Sequence, residues 1–148
     1  MENKKPNLLK IISIVQRKTQ MYLSARAKAV GLSHGLVPFL LITCQNGQMP
    51  QNHFCELLDM SKGTVAKMLA KLEEQEYIIR KENEKDGRSV VVYPTQKALD
   101  IYPYFTQVGD DWTQVLTQGL TDIERTILFE MLDTMSHNAS NFFDSHQS

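Results

Sequence analysis

The side chains in this sequence that could do chemistry begin with a run of hydroxyls and lysines at helical spacing. Ser61, Lys62, Gly63, Thr64, Lys67 and Lys71 fall on one side of a helical period, and Val65, Met68, Leu69 and Leu72 fall on the other. A helix capped by Ser61 would bury the second set and present the first. Its free N–H groups, small residues and lysines make a surface suited to meeting an anion. A second charged group, Lys85, Asp86 and Arg88, lies in the polar stretch 81–89. Nothing in the chain has the spacing of a catalytic site: there is no phosphate-binding glycine loop, nucleophile elbow, HExxH or carboxylate pair in an evident cleft. The soft metal ligands are His34, Cys44, His53, Cys55, His137 and His146, and the lone His53-Phe54-Cys55 spacing is not that of a zinc site. No catalytic residue, metal or cofactor is expected.

Several elements must position these groups. Over 8–30, Leu8, Ile11, Ile12, Val15, Tyr22 and Leu23 recur at helical spacing with Lys and Arg between them, which predicts a long amphipathic helix. A second, more buried helix is read over 33–44, ended by Gln45-Asn46-Gly47. Pro50 suits the first turn of a third helix over 50–58 that would bury Phe54, Leu57 and Leu58. Asp59-Met60 then connect tightly to Ser61, and two short helices with a brief turn form a helix-turn-helix pattern. Tyr77-Ile78-Ile79-Arg80 and Val90-Val91-Val92-Tyr93 read as strands of a β-hairpin with a charged tip, placed as a wing. Thr95 can cap a long helix that Pro103 must kink or interrupt, and Thr121-Asp122-Ile123-Glu124 is a capping box for the last helix. The fold class is mainly α (α+β).

At 148 residues the chain suffices for one domain, and 42% hydrophobic with 22% charged residues excludes disordered and fibrous classes. No apolar run approaches the ~20 residues of a membrane span and no signal peptide opens the chain, so it is read as cytoplasmic with no membrane partner. Cys44 and Cys55 are too few for a disulfide framework, in keeping with a reduced compartment. Net charge is -1, but its distribution is uneven. Residues 1–30 hold seven Lys/Arg against Glu2 alone, whereas 99–148 hold Arg125 against eight Asp/Glu. Either the basic end faces phosphates while the acidic end stays solvated, or the two ends pair. In the last helix Ile123, Ile127, Leu128, Met131, Leu132 and Met135 form a stripe, with Phe142 and Phe143 beyond. The stripe and the first helix either pair with a second copy of the chain or fold back on one core.

From about residue 8 to 143 the sequence resembles the MarR family of bacterial regulators. Two stretches carry the likeness: 60–73, similar to the family's recognition helix with its Thr64-Val65 pair and Leu72-Glu73 ending, and Asp86-Gly87-Arg88 followed by Val92-Tyr93-Pro94-Thr95, similar to the wing signature. The resemblance implies one MarR-like domain over 1–148. It would comprise a winged helix-turn-helix lobe at 33–97 and a helical dimerisation lobe from 1–32 and 98–148. It also implies a recognition helix in the major groove and a wing reaching the adjacent minor groove. Ser61, Lys62, Gly63, Thr64, Lys67 and Lys71 would then be DNA-binding, with Lys85 on a phosphate. Arg88 would lie in the minor groove, oriented by Asp86. Some positions depart from the family: Glu76 stands where a glycine serves a left-handed helix end, Pro94 replaces a leucine, Ala98 a glycine, and Lys67 an arginine.

Many members of the family bind small aromatic or amphipathic effectors, and by resemblance Tyr22, His34, Phe39 and Tyr102 would lie near such a cleft; the same residues also suit a plain core. Cys55 falls where the family packs a small alanine and is read as inert. Cys44 lacks the electropositive setting of a redox sensor. The resulting reading is a homodimeric regulator, a repressor, on a pseudo-palindromic double-stranded DNA operator with half-sites about one helical turn apart. The alternative is a winged-helix protein-interaction module that does not touch DNA.

Overall fold

The computed structural model describes residues 6–83, 85 and 89–146. Its elements run α1 (Leu8–Ala29), a 3-10 turn (His34–Leu36), α2 (Val37–Asn46), β1 (Met49–Pro50), α3 (His53–Leu58), α4 (Lys62–Glu74), β2 (Ile78–Glu82), β3 (Val90–Pro94), α5 (Gln96–Leu116) and α6 (Asp122–His146). The chain divides into two compact units, Met1–Trp112 and Thr113–Ser148.

In the first unit, Leu36, Phe39, Leu40, Phe54, Val65, Leu69, Leu72, Ile78 and Val92 are buried together, so the helices of the helix-turn-helix and the sheet share one core. Phe39 stacks on Phe54 with ring centroids 5.6 Å apart, joining α2 to α3. The sheet is antiparallel in the order β1-β3-β2, with Met49 opposite Val92 and Arg80 also opposite Val92 from the other side. Pro50 is therefore a strand residue rather than the first turn of α3. Its missing N–H is tolerated on an edge strand, and the helix begins only at His53. Leu57, expected inside, is 58% exposed. With only six residues, α3 offers one inward stripe, and Phe54 occupies it.

Cap chemistry sets the element boundaries. The Asn7 side chain accepts from Lys10 N at 3.2 Å, and Gly47 ends α2 at φ 74°. Asp59 closes α3 in the left-handed region at φ 53°, making the sharp turn into α4. Thr95 does two jobs: its Oγ1 accepts from Ala98 N at 3.4 Å and donates to the Glu76 carbonyl at 2.7 Å. Pro103 does not interrupt α5, which is one helix from Gln96 to Leu116.

In the second unit, the Thr121 capping box forms with both of its bonds. Thr121 N donates to Glu124 Oε1 at 2.9 Å, and Glu124 N donates to Thr121 Oγ1 at 3.2 Å. These bonds hold the Glu124 carboxyl below its ordinary range, the backbone bond contributing most. None of the described residues of α6 is buried, and Ile123, Met131, Phe142 and Phe143 are each more than half exposed.

Candidate nucleic-acid interface

The outer face of α4 is a continuous polar surface. Ser61 is extended (φ -69°, ψ 155°) and its Oγ accepts from Thr64 N at 3.2 Å while donating to Thr64 Oγ1 at 2.9 Å. With Val65, Leu69 and Leu72 turned into the core, Ser61, Lys62, Gly63, Thr64, Lys67 and Lys71 are all exposed on one face. None of the three lysines is in an ion pair among the described residues. A Cβ placed on Gly63 would meet no atom within 4 Å, so nothing inside the protomer requires a glycine there. At the second position of α4 it costs less than the about 1 kcal/mol that glycine costs relative to alanine in a helix interior.

The C-terminal end of α4 leads into the hairpin. Tyr77 N donates to the Leu72 carbonyl and Glu76 N to the Glu73 carbonyl, both at 2.9 Å, which is a Schellman cap. Glu76 occupies its left-handed position at φ 65°, so the chain keeps the turn for which the family uses glycine and carries the strain in a glutamate. Glu73 accepts from Arg80 N at 2.8 Å, from Nε at 3.3 Å and from Nη2 at 3.1 Å. The side-chain bond to Arg80 is the main cause that lowers the Glu73 carboxyl below the usual carboxylate range, partly opposed by burial. The hairpin closes with Asn83 N donating to Ser89 O at 2.8 Å, and Lys85 N bonds Asn83 Oδ1 at 3.1 Å. Asp86 and Arg88 lie outside the described residues.

The four residues expected around an effector cleft separate. Phe39 is wholly buried against Phe54 and belongs to the core, because α2 is enclosed by the helix-turn-helix and the sheet. Tyr22 stacks on Trp112 at 4.6 Å and lines a hollow of about 140 Å³ with Arg26, Tyr104 and Asp111. His34 bonds Ser24 Oγ at 3.0 Å and Gln20 Nε2 at 3.3 Å, beside a shallower hollow of about 370 Å³ lined by Arg17, Gln20, Met21 and Ser24. Tyr102 is half-buried and lines neither; Tyr104, two residues on, does, with its hydroxyl donating to the Arg26 carbonyl at 2.8 Å. Sequence reasoning missed Trp112 and Tyr104. Trp112, the single tryptophan, donates Nε1–H to Thr19 Oγ1 at 2.9 Å, a long-range pairing with no local signature. Both cysteines are free and half-buried, and burial raises the Cys44 thiol above its ordinary value. Among the described residues no group of three or more His, Cys, Asp or Glu could hold a metal ion, and no single helix is long and apolar enough to cross a membrane.

Residues 31–89, which contain the helix-turn-helix and β2 but end before β3, match the model of the MarR family. The chain is 24% identical over 132 residues to the uncharacterized HTH-type transcriptional regulator YybA of Bacillus subtilis, covering 89% of this chain and 88% of that protein. Its fold is similar to that of the transcriptional regulator SlyA, with a TM-score of 0.89, 26% identity and coverage of 96% of this chain and 100% of that one. It is similar again, at TM-score 0.88, 20% identity and coverage of 97% and 98%, to a Listeria monocytogenes structure described as a MarR family transcriptional regulator complexed with 26mer DNA. By fold the chain is a winged helix-turn-helix protein similar over nearly its whole length to the transcriptional regulator SlyA, and its segment 31–89 carries the match to the MarR family.

Proposed function

We propose that the chain binds duplex DNA as a homodimer and represses transcription from a pseudo-palindromic operator, each protomer placing α4 in a major groove and its hairpin against the neighbouring minor groove. The observation that carries the DNA reading is the outer face of α4. It combines unpaired lysines, a capped N-terminus and a glycine that no internal contact requires, and such a glycine suits close approach of an external backbone or base edge. In this reading Ser61, Lys62, Gly63, Thr64, Lys67 and Lys71 meet the major groove, while Lys85, Asp86 and Arg88 serve the hairpin. The DNA bound by the Listeria relative supports it.

The dimer reading rests on apolar faces. On α1, Leu8 is 57% and Leu9 75% exposed, and on α6, Ile123 is 73% exposed. A second copy of the chain would cover such faces. The effector is a small aromatic or amphipathic molecule, and the hollows beside Tyr22 and His34 are where it would enter the first unit. The compartment is the cytoplasm, where the operator lies.

Fluorescence anisotropy with the DNA upstream of the chain's own gene and with a shuffled duplex, over a series of salt concentrations, tests the reading. Selective binding is expected, with log K falling by about 0.9 per log salt for each phosphate neutralised, and Lys67→Ala should lower that slope by about 1 through the phosphate it no longer neutralises. Absence of binding to either duplex at low salt, by a chain free of ligand, would leave the protein-interaction module as the better account.

A further inference from the structure

Resting on the DNA reading, we propose that Glu73 is a positioning residue that holds the hairpin at the angle from which Lys85 can reach the duplex. The hairpin gains a third strand only on its β3 side, where β1 adds a two-residue pairing, so the direction of its tip depends on what fixes its β2 side. In this chain β2 is an edge strand, and both oxygens of one carboxylate fix it. Glu73 Oε2 takes the outward backbone N–H of Arg80 at 2.8 Å, and Oε1 takes the Arg80 guanidinium at 3.1 and 3.3 Å. The backbone bond ties strand to helix whatever the rotamer of the arginine, and the guanidinium bonds prevent rotation about it.

Apart from Ile78, which is buried in the core with Leu69 and Leu72, the other side-chain links at this end of α4 bypass β2. Thr95 Oγ1 reaches Glu76 O at 2.7 Å and Lys97 Nζ reaches Gln75 O at 2.8 Å, both from residues after β3. They hold the returning leg of the hairpin, and Glu73 holds the outgoing one. From Arg80 the outgoing leg runs through Glu82 to Asn83, whose side chain holds the Lys85 backbone. A change of direction at Arg80 is therefore carried to the lysine. Glu73 is also part of the helix that presents Lys67, so one carboxylate sets the separation between the two cationic surfaces.

A double-mutant cycle tests this, with anisotropy on the selected duplex and urea unfolding of every variant. In the wild-type chain Lys85→Ala is expected to weaken binding about threefold to tenfold, the scale of one phosphate contact. In the Glu73→Ala background Lys85→Ala should cost less than about twofold, whereas Lys67→Ala should keep its full effect. A purely stabilising Glu73 would leave both effects unchanged. Glu73→Gln, which retains an acceptor for Arg80 N–H, should restore part of the coupling, and Arg80→Ala supplies the cycle if Glu73→Ala does not fold. Full additivity of Glu73→Ala with Lys85→Ala overturns the proposal, as does a wild-type chain indifferent to Lys85→Ala. A wild-type chain that binds no duplex refutes the DNA reading and this proposal together.

Discussion

Glu76 allows a quantitative test of how the turn between α4 and the hairpin is made. An L-residue in the left-handed region costs about 1–2 kcal/mol, and Glu76 sits there at φ 65°. Glycine removes that cost but gives back about 0.5–1 kcal/mol through the greater freedom of the unfolded chain. Taking the middle of each range, Glu76→Gly is expected to stabilise the fold by about 0.75 kcal/mol. The bonds of the cap use backbone atoms only, so glycine preserves them: Glu76 N to Glu73 O, Tyr77 N to Leu72 O, and the Glu76 carbonyl accepting from Thr95 Oγ1. Glu76→Ala is the control, because it keeps a Cβ and removes only a negative charge from a helix C-terminus already carrying Glu73 and Glu74. That relief amounts to a few tenths of a kcal/mol. In urea titrations at fixed protomer concentration, with m of about 2 kcal/mol per molar, the glycine variant should move the midpoint up by about 0.25–0.5 M and the alanine variant by less than half as much. Equal gains from alanine and glycine would refute the backbone account, and so would a loss from glycine.

Other outcomes follow from the same geometry. Gly63→Ala should raise stability by about 0.4–1 kcal/mol, since its methyl meets nothing and alanine has less freedom to lose in the unfolded chain, yet weaken DNA binding in the anisotropy assay; unchanged affinity would mean that nothing approaches Gly63 closely. Ser61→Ala should cost about 1 kcal/mol in urea unfolding and Ser61→Asp much less, because the bond to Thr64 N is what caps α4. Because its folded-state carboxyl is lowered, Glu73 contributes stability in full above its ordinary value of 4.5, and that contribution is lost as pH falls through the lowered value. Glu73→Gln should therefore flatten the acid limb of a stability-against-pH curve and leave the neutral region parallel to wild type. Leu132→Glu, on the exposed face of α6, should convert a dimer to a monomer in light scattering without loss of helical circular dichroism.

Much of the fold was legible because its boundaries are made by local chemistry. Ser61, Thr95 and the Thr121-Glu124 pair act within three or four residues of themselves, and each forms the cap that its side chain suggests. The inward face of α4 was equally open to reading, since Val65, Leu69 and Leu72 obey one period. β1 was not legible: two residues have no periodicity, and Met49 becomes a strand only because Val92 lies beside it. Leu57 was misplaced because a single turn more or less of helix decides whether a leucine finds a cover. Among site residues, the exposed row from Ser61 to Lys71 followed from helical geometry and the burial of Phe39 from the buried character read for its helix, whereas the Tyr22–Trp112 stack depends on a partner far along the chain. The Glu73–Arg80 contact falls between these cases. Both residues stood in recognisable elements, but only the angle between α4 and β2 brings them together.

The two-residue pairing of β1 with β3 also bears on how the protein opens. Met49–Pro50 and Val91–Val92 close a loop that contains the whole of α3, α4 and β2, and Gln51 N adds a bond to Val90 O at 2.8 Å. Chain enclosed in this way cannot fray from a free end. To expose the amides of α4, the ladder must part or the enclosed segment must melt as a body. Hydrogen exchange in α4, β2 and β3 should then proceed with a common opening free energy, marking them as one foldon.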